Sequence, residues 1–218
     1  MSHRTFLAAA LAAAVLGFGM ASAPVRASAQ SSLTDQLLYD VHKGNLKAVR
    51  RDLANGADVN AGADGDLTDQ EYISGKLTDD VLFASKGDTA LTVAATDNHA
   101  DVARLLIAHG ADVDARSGNG WTPLFTATEI LNDNADVIHV LLDHGADANA
   151  RDDGSGTTAL MNAAENGYAD IVRLLLEHGA DVSARDDLGD TVLDCKTDEN
   201  VIHVLQANGA GHGAEDCP

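Results

Sequence analysis

Apolar residues along the chain fall into pairs of short runs separated by polar turns. One pair lies between Thr89 and Gly110, where a run from Ala90 to Ala95 precedes a second run from Ala100 to Ala108. In the second run the bulky apolar residues recur at helical spacing, so they fall on one side of an α-helix. The pattern predicts two short helices that bury their apolar sides. The bulky residues are Val102, Leu105, Leu106 and Ile107.

The same pair of runs recurs along the chain, marked by a Gly-Ala-Asp triplet. The triplet begins at Gly56, Gly110, Gly145 and Gly179, and a partial copy begins at Gly209. Successive glycines are 54, 35, 34 and 30 residues apart. These spacings indicate a repeat of about 33 residues with insertions of about 21, 2 and 1 residues. A period of this length predicts a solenoid of stacked helical units.

Each later unit carries residues that begin and end helices. A threonine opens the first helix, where its hydroxyl can accept a hydrogen bond from a free backbone amide. The triplet glycine follows the second helix, where a positive φ angle is common and glycine adopts it without steric cost. These residues predict the helix boundaries of every later unit. The threonines are Thr89, Thr122, Thr158 and Thr191.

Three motifs at these positions carry a resemblance to a known family. They are Gly120-Trp121-Thr122-Pro123-Leu124, Ala94-Ala95, and the run from Gly179 to Asp186. With them, the chain resembles the ankyrin-repeat family over residues 33–211. The resemblance implies an all-α solenoid of about five helix-turn-helix-hairpin units with one inserted segment, which binds proteins along a concave surface.

The chain departs from the family pattern in two places. The family's histidine after Thr-Pro-Leu is replaced in each unit, so the hydrogen bonds that it supplies are absent. The first unit lacks Thr-Pro, has Asp40 where alanine is usual, and carries Arg51 and Asp52 on its outer helix. We interpret these charges as the solvated surface of a terminal cap. The residues in place of the histidine are Thr92, Phe125, Met161 and Asp194.

The first 29 residues have the composition of a signal peptide. Arg4 precedes an apolar run from Phe6 to Met20, and small residues follow at Ala21-Ser22-Ala23 and Ala27-Ser28-Ala29. Cleavage is predicted after Ala29, because Pro24 directly follows the earlier site. The apolar run is about 15 residues, shorter than the roughly 20 that span a bilayer. An uncleaved anchor is the alternative.

These features predict a periplasmic protein with three parts. They are a signal peptide at 1–29, a repeat domain at 30–211 with an insertion at about 62–85, and a tail at 212–218. Once the leader is removed, no membrane span is expected. The remaining apolar content is enough for one continuous stack of helices, so a single domain and a monomer are expected.

The chain is strongly acidic. It has 14 basic and 34 acidic side chains, a formal net charge of −20, and loss of Arg4 and Arg26 with the leader makes this −22. Nucleic acid is not expected as a ligand, because phosphate binding depends on lysine and arginine. The field favours encounter with a basic protein partner. Alternatively, the acidity only keeps an elongated protein soluble.

The insertion, residues 62–85, interrupts the repeat pattern. It is too rich in aromatic and aliphatic residues, Tyr72 among them, for a disordered loop, so we expect it to fold against the stack. Thr68 with Glu71, and Thr78 before Val81-Leu82, predict two short capped helices.

The insertion also overlaps part of a calcium-loop pattern. Counted from Asn60, residues such as Asp64, Asp66 and Glu71 match the later ligand positions of such a loop. Asn60 and Gly62 occupy the first two ligand positions, where the loop would lack charge and a ligand. The pattern therefore favours a capping box over a calcium site.

The ionisable residues form no catalytic pattern. His109, His144 and His178 sit at equivalent positions before the triplet glycines, so stacking holds them roughly 8 to 10 Å apart. Zinc bonds of about 2.1 Å cannot bridge that gap, and we expect these histidines to face the negative ends of helix dipoles. The chain has no glycine-rich phosphate loop and no His-Glu-x-x-His helix. We predict a non-enzymatic protein with no metal and no cofactor.

By analogy with the family, a protein partner is expected to contact the hairpin tips and the exposed ends of the first helices. Trp121 is the preferred anchor, because aromatic residues often dominate interfaces, although packing on the neighbouring hairpin is the alternative. Tyr72 is a further candidate. The other predicted contacts are Lys86, Asp88, Asp97, Asn119, Glu129, Ile130, Ser155, Thr157, Glu165, Asn166, Leu188 and Asp190.

The predicted function is protein binding in the bacterial periplasm, as an adaptor or protector of an envelope protein. The acidity also suits an immunity protein that occludes a basic toxin. A structural envelope spacer is a third possibility, which would need no specific binding surface. The sequence leaves these three open.

Cys195 and Cys217 are the two cysteines, and both lie in the predicted exported part. In an oxidising compartment they are predicted to form a disulfide that ties the tail over the shortened last unit. Closing this loop would restrict the unfolded chain by roughly 3 kcal/mol. The alternative is two free thiols.

Overall fold

Helices dominate the structure, a computed structural model that describes residues 23–64, 67–68, 82–129, 135–193 and 198–210. Two short strands lie in the insertion: β1 (Leu67–Thr68) and β2 (Leu82–Ala84). The described helices are α1 (Ala23–His42), α2 (Leu46–Ala54), α3 (Ala90–Thr96), α4 (Ala100–Ala108), α5 (Pro123–Glu129), α6 (Asp136–Asp143), α7 (Ala159–Glu165), α8 (Ala169–Glu177) and α9 (Glu199–Ala207).

The helices stack in two layers. The inner helices α1, α3, α5 and α7 pack on one another in chain order, and so do the outer helices α2, α4, α6, α8 and α9. Each inner helix also packs on the outer helix that follows it. The predicted all-α repeat solenoid is therefore confirmed.

The predicted helix starts are confirmed in three later units. Thr89, Thr122 and Thr158 each accept a hydrogen bond on Oγ1 from the backbone amide three residues later, at 3.2 to 3.3 Å. The hydroxyl thus satisfies one of the amides that a helix start leaves unpaired.

The triplet glycines have the backbone conformation expected of them. Their φ angles lie between 85° and 93°, where a β-carbon would be strained. The alanine after each of these glycines donates its amide to the carbonyl five residues back, at 3.0 to 3.1 Å, which closes the end of the outer helix.

Leucines four residues before the triplet glycines lie at the centre of the stack. Leu106, Leu141, Leu175 and Leu205 are each 0% exposed. The first unit has Asp52 at this position, and it is also buried, with 2% exposed, as is Asp40, with 6% exposed. The expectation of a solvated cap surface is therefore wrong for these two aspartates. They point between α1 and α2, because the position itself faces the core.

The described strands of the insertion form a short two-stranded β-ribbon. β1 and β2 are antiparallel, with Leu67 opposite Ala84 and Thr68 opposite Leu82. Leu82 therefore lies in a strand, so the helix predicted at Val81-Leu82 is wrong. Gly62 and Thr89 already form an antiparallel bridge at the base of this hairpin, and continuing that ladder satisfies the backbone locally. Tyr72 and most of the insertion lie outside the described residues.

The triplet aspartates are turn residues. Each accepts a hydrogen bond on its carboxylate from the backbone amide two residues later, at 2.8 to 3.1 Å. At Asp181, hydrogen bonds from the Ser183 hydroxyl and amide lower the pKa of the carboxyl. This turn chemistry explains why aspartate recurs with the repeat.

Asparagines two residues after the aspartate connect successive units. The side-chain amide donates to the carbonyl of the triplet glycine of the next unit. The side-chain oxygen accepts from the backbone amide of the aspartate in the same triplet. Asn60 reaches Gly110 (3.0 Å) and Asp112 (2.8 Å), and Asn149 reaches Gly179 (3.0 Å) and Asp181 (2.7 Å). Asn60, the first residue of the calcium-loop pattern, is thus already engaged by the fold.

Replacing Asp114 with asparagine is expected to raise the free energy of unfolding by about 1 kcal/mol. In its own unit Asp114 occupies the position that Asn60 and Asn149 hold in theirs, and it accepts from the Asp147 amide at 3.0 Å. Its carboxylate has no hydrogen to donate to the Gly145 carbonyl, whereas an amide has. Urea unfolding measures the change, and Asn149→Asp is the matched control, expected to lose a similar amount. Equal stability of Asp114→Asn and the parent chain would show that the second bond adds nothing.

Candidate functional site

Four hairpins, here called fingers, connect the helix pairs and lie side by side. The first runs from Gly62 to Thr89 and contains the insertion, the second from Ser117 to Trp121, the third from Arg151 to Thr158, and the fourth from Arg185 to Thr191. We call the surface formed by the fingers and the exposed ends of the inner helices the groove surface.

Glycines allow the first two fingers to touch through their backbones. A β-carbon on Gly118 would lie 2.1 Å from the Lys86 carbonyl oxygen, and one on Gly87 would lie 2.7 Å from the Gly118 nitrogen. No other residue type fits either position without movement of the backbone. The two fingers are therefore held in register by direct backbone contact.

Arginines connect the later fingers. Arg116 Nη1 donates to the Gly120 carbonyl (2.7 Å) of its own finger and to Asp153 Oδ1 (2.9 Å) of the next. Arg151 repeats this with Gly156 (2.9 Å) and Asp187 (2.7 Å). The recurrent Ala-Arg pair, at positions 115–116, 150–151 and 184–185, was the available sequence signal for this contact, which sequence reasoning missed.

The third finger is shaped by a partly buried carboxylate, that of Asp152. Burial of Asp152 opposes its ionisation, but the backbone amides of Ser155, Thr157 and Gly154 donate to the carboxylate and hold its pKa below the usual value. The shortest of these bonds is 2.6 Å, from Thr157 to Oδ1. Asp152 therefore belongs to the turn and is not available to a partner.

Trp121 is half-buried at the end of the second finger. Its ring centroid lies 5.3 Å from that of Phe125, at an interplanar angle of 46°, which is a favourable arrangement for two aromatic rings. Phe125 is buried. Trp121 thus packs on the first turn of α5 while part of its ring remains accessible on the groove surface.

Acidic residues mark the ends of three successive inner helices. Asp97 caps α3, while Glu129 and Glu165 are the last residues of α5 and α7, and both glutamates are exposed. No basic residue lies in the last turn of any of these helices. A carboxylate near a helix C-terminus is unfavourable by about 0.3 to 1 kcal/mol, because the dipole is negative there.

The remaining predicted contacts differ in how available they are. Asp97 is bonded to His42 Nδ1 at 2.8 Å, and Asp88 accepts from the Ser85 amide at 2.7 Å, so both support the fold. Asn166 caps α7, with its side-chain amide donating to the Asn162 carbonyl at 3.0 Å. Asn119 and Asp190 are exposed on the second and fourth fingers. Ile130, Tyr72, Cys195 and Cys217 lie outside the described residues.

One of the predicted hairpin-tip contacts is an exposed apolar side chain. Leu188, in the fourth finger, is 86% exposed. It lies between Asp187 and Gly189, and the turn there leaves its side chain without a core to join. The sequence indicates it by its place at a hairpin tip and not by any apolar periodicity.

The helix-end histidines have the predicted orientation. Nδ1 of each lies 2.7 to 2.9 Å from the carbonyl oxygen four residues back, so Nδ1 carries the hydrogen and donates it. They therefore bond to backbone carbonyls of the last turn, at the negative end of the helix, as expected. Across the described part of the chain, no group of three His, Cys, Asp or Glu side chains is arranged to hold a metal ion. The histidines are His109, His144 and His178.

Comparison with known families agrees with this repeated geometry. The family description "Ankyrin repeats (3 copies)" matches residues 37–152, more than half of the chain, and "Ankyrin repeats (many copies)" matches residues 141–195. The chain belongs to the ankyrin-repeat family. Ankyrin repeats are protein-interaction modules that are generally non-enzymatic, so a protein partner is implied.

Similar ankyrin-repeat segments occur in larger proteins. The chain is 54% identical to Potassium channel AKT1 of Oryza sativa subsp. indica over 37 residues, which is 17% of this chain and 4% of that protein. It is 40% identical over 58 residues to mouse Protein phosphatase 1 regulatory subunit 12A, 27% of this chain and 6% of that protein. It is 45% identical over 60 residues to mouse Ankyrin repeat and MYND domain-containing protein 1, 26% of this chain and 7% of that protein.

The chain therefore spans less than a tenth of the length of these curated relatives. The similarity covers the repeats alone, so the functions of those whole proteins are not assigned to this chain. Of the helices that the structure describes, none combines the length and the apolar character needed to cross a bilayer.

Proposed function

We propose that this ankyrin-repeat protein is a non-enzymatic adaptor or protector of an envelope protein in the bacterial periplasm. It binds that protein through its groove surface. Membership of the family supports the protein partner, and the leader at residues 1–29 supports the location, with cleavage after Ala29. The predicted Cys195–Cys217 disulfide belongs to the same proposal, because that compartment is oxidising.

The observation that carries the groove surface is its acidic row. Glu129 and Glu165 are exposed at helix ends where their charge opposes the helix dipole. A residue that is unfavourable for its own helix is best explained by a function outside the fold. With the net charge of −20, the row favours a basic surface on the partner, whose approach it would accelerate.

A second candidate function draws on the same charge. An immunity protein that occludes a toxin also needs rapid association with a basic surface, and electrostatic steering provides it. The two candidates differ in the partner: a resident envelope protein for the first, a secreted toxin for the second. A structural spacer would need neither steering nor a tight partner.

We call the four acidic residues Asp88, Glu129, Glu165 and Asp190 of the groove surface the groove row. Neutralising the groove row is expected to slow association with the partner about tenfold at low salt and to flatten its salt dependence. The variant combines Asp88→Asn, Glu129→Gln, Glu165→Gln and Asp190→Asn. The protein serves as bait for its partner and is purified from the envelope fraction, where its intact mass should correspond to a chain starting at Gln30. The partner captured on it is identified, and its association rate is measured by stopped flow.

The matched control removes four exposed carboxylates from the outer helices: Asp101→Asn, Asp136→Asn, Asp170→Asn and Glu177→Gln. It makes the same change in net charge away from the groove surface. If both variants slow association equally, the effect comes from the net charge of the protein and not from the groove row. A bait that retains residues 1–29, or stays in the cytosol, contradicts the periplasmic location.

A further inference from the structure

The first unit carries aspartates where the later units carry apolar core residues. Asp52 lies four residues before Gly56, the position of the four fully buried leucines in the later units. Asp40 lies four residues before Gly44, and the residue four before Gly167 is Ala163, which is 0% exposed. Two neighbouring core positions have thus changed together from apolar to acidic.

One arginine serves both carboxylates. Arg51 Nη2 lies 3.0 Å from Asp40 Oδ2 and 2.9 Å from Asp52 Oδ1. Gln36 Nε2 donates to Asp40 Oδ2 at 2.7 Å. With both aspartates ionised, this interior would hold two negative charges against one positive charge, a costly arrangement away from water.

The cluster also lacks one hydrogen-bond donor. Asp52 Oδ2 is buried and receives no donor from the described residues. The Asp40 carboxylate contacts the same guanidinium nitrogen as Asp52, but as a carboxylate it has no hydrogen to give to Asp52. A proton on Asp52 would supply the missing donor and remove the excess charge. Burial, and then the contact with Asp40, raise the pKa of Asp52 despite the opposing effect of Arg51.

We propose that Asp52 carries a proton, which it donates toward Asp40, and that this pair acts as a pH-sensitive clamp that holds the first unit on the stack. With the proton bound, α1 and α2 are joined by a complete hydrogen-bond network. Without it, two buried carboxylates repel each other across the same interface. Because a repeat contacts only its neighbours, α1 and α2 can open while α5 to α8 remain folded.

Other ionisable groups near the clamp leave this assignment intact. α3 and β2, which pack on α1, contain no ionisable residue. α4, which packs on α2, carries Asp101 and Arg104, and both are exposed. On α1 itself, Asp35 and Tyr39 are half-buried, and Lys43, which directly follows α1, is exposed. On α2, Lys47 and Arg50 are exposed. His42 is bonded to Asp97 at the far end of α1.

The sign of the pH effect follows from the direction of the pKa shift. The pKa of Asp52 is higher in the folded protein than in the unfolded chain. Its stabilising contribution is therefore complete below the unfolded value and is lost as the pH rises through the folded value. The clamp closes in acid and loosens toward neutral pH.

Hydrogen–deuterium exchange of the full-length chain between about pH 4 and pH 8 tests the clamp, with protection factors corrected for the intrinsic pH dependence of exchange. Protection of α2 is expected to fall as the pH rises, with a slope that approaches about tenfold per pH unit for one proton. Protection of α8, measured in the same molecules, should not follow this slope.

Three variants sharpen the test. Asp52→Asn places a permanent donor beside Asp40, so α2 should keep its acid level of protection at every pH. Arg51→Gln should steepen the loss toward neutral pH and be rescued by acid, which a purely structural role for Arg51 would not produce. Asp170→Asn removes an exposed carboxylate paired with Arg173 and should leave the α2 profile unchanged.

Two results would overturn the proposal. One is α2 protection that does not depend on pH in the parent chain. The other is a pH slope that survives in Asp52→Asn. The double variant Asp40→Ala, Asp52→Leu restores the apolar residues of the later units, so it should fold, lose the slope and protect α2 at least as well as the parent chain does in acid.

Discussion

Replacing Gly87 with alanine is expected to lower the free energy of unfolding by about 3 kcal/mol. Two costs add at this position. The φ angle of Gly87 is 88°, which strains any residue with a β-carbon, and the new methyl group would lie 2.7 Å from the Gly118 backbone nitrogen. The second finger would have to move away from the first. Urea unfolding followed by circular dichroism measures the loss.

Two further glycines separate these costs. Gly110 has nearly the same φ angle, 87°, but a β-carbon there meets no atom within 4 Å, so Gly110→Ala should cost only about 1 kcal/mol. Gly118 has no positive φ angle, yet its β-carbon would meet the Lys86 carbonyl oxygen at 2.1 Å, so Gly118→Ala reports the contact alone. If Gly87→Ala costs no more than Gly110→Ala, the two fingers are not held by backbone contact.

Replacing Leu141 with alanine is expected to lower the free energy of unfolding by about 3 kcal/mol. Leu141 is 0% exposed in α6, and α6 packs on α4 and α8 on either side. The lost methyl groups would leave a cavity that neighbours on both sides cannot easily fill. Leu188→Ala, at the 86% exposed position, is the control and should change stability by less than about 0.5 kcal/mol.

The repeat architecture makes a second comparison possible at the same structural position. Leu205 is also 0% exposed, but α9 packs mainly on α8, on one side of the stack. A terminal unit can open without the rest of the stack. Leu205→Ala should therefore reduce the stability of the central units by clearly less than Leu141→Ala does. Equal losses would mean that the stack unfolds as one unit.

The groove surface was predictable in part. Its position followed from the hairpins and helix ends of the repeats, and Glu129, Glu165, Asn119 and Asp190 are exposed there as expected. Asp88 and Asp97 were equally plausible in the sequence, yet the structure engages them with Ser85 and His42. Ser85 lies three residues from Asp88 in the chain, and His42 lies 55 residues from Asp97. Whether a side chain is engaged therefore depends on contacts that sequence spacing does not show.

The sequence by itself determined the repeat, its helices and their ends. These features depend on local physics: apolar spacing at 3.6 residues per turn, a threonine hydroxyl three residues from an amide, and a glycine at positive φ. Such interactions act within one turn of the chain, so they can be identified without knowledge of the fold.

The tertiary structure alone decided three features: the buried Asp40–Asp52 pair, the contacts of the arginines between fingers, and the β-ribbon of the insertion. Each depends on residues brought together from separate segments. Arg116 and Asp153 are 37 residues apart in the chain, and the burial of Asp52 depends on α1 lying over it. A charge in a helix of the first unit indicates a solvated surface until packing shows which side of that helix faces the core.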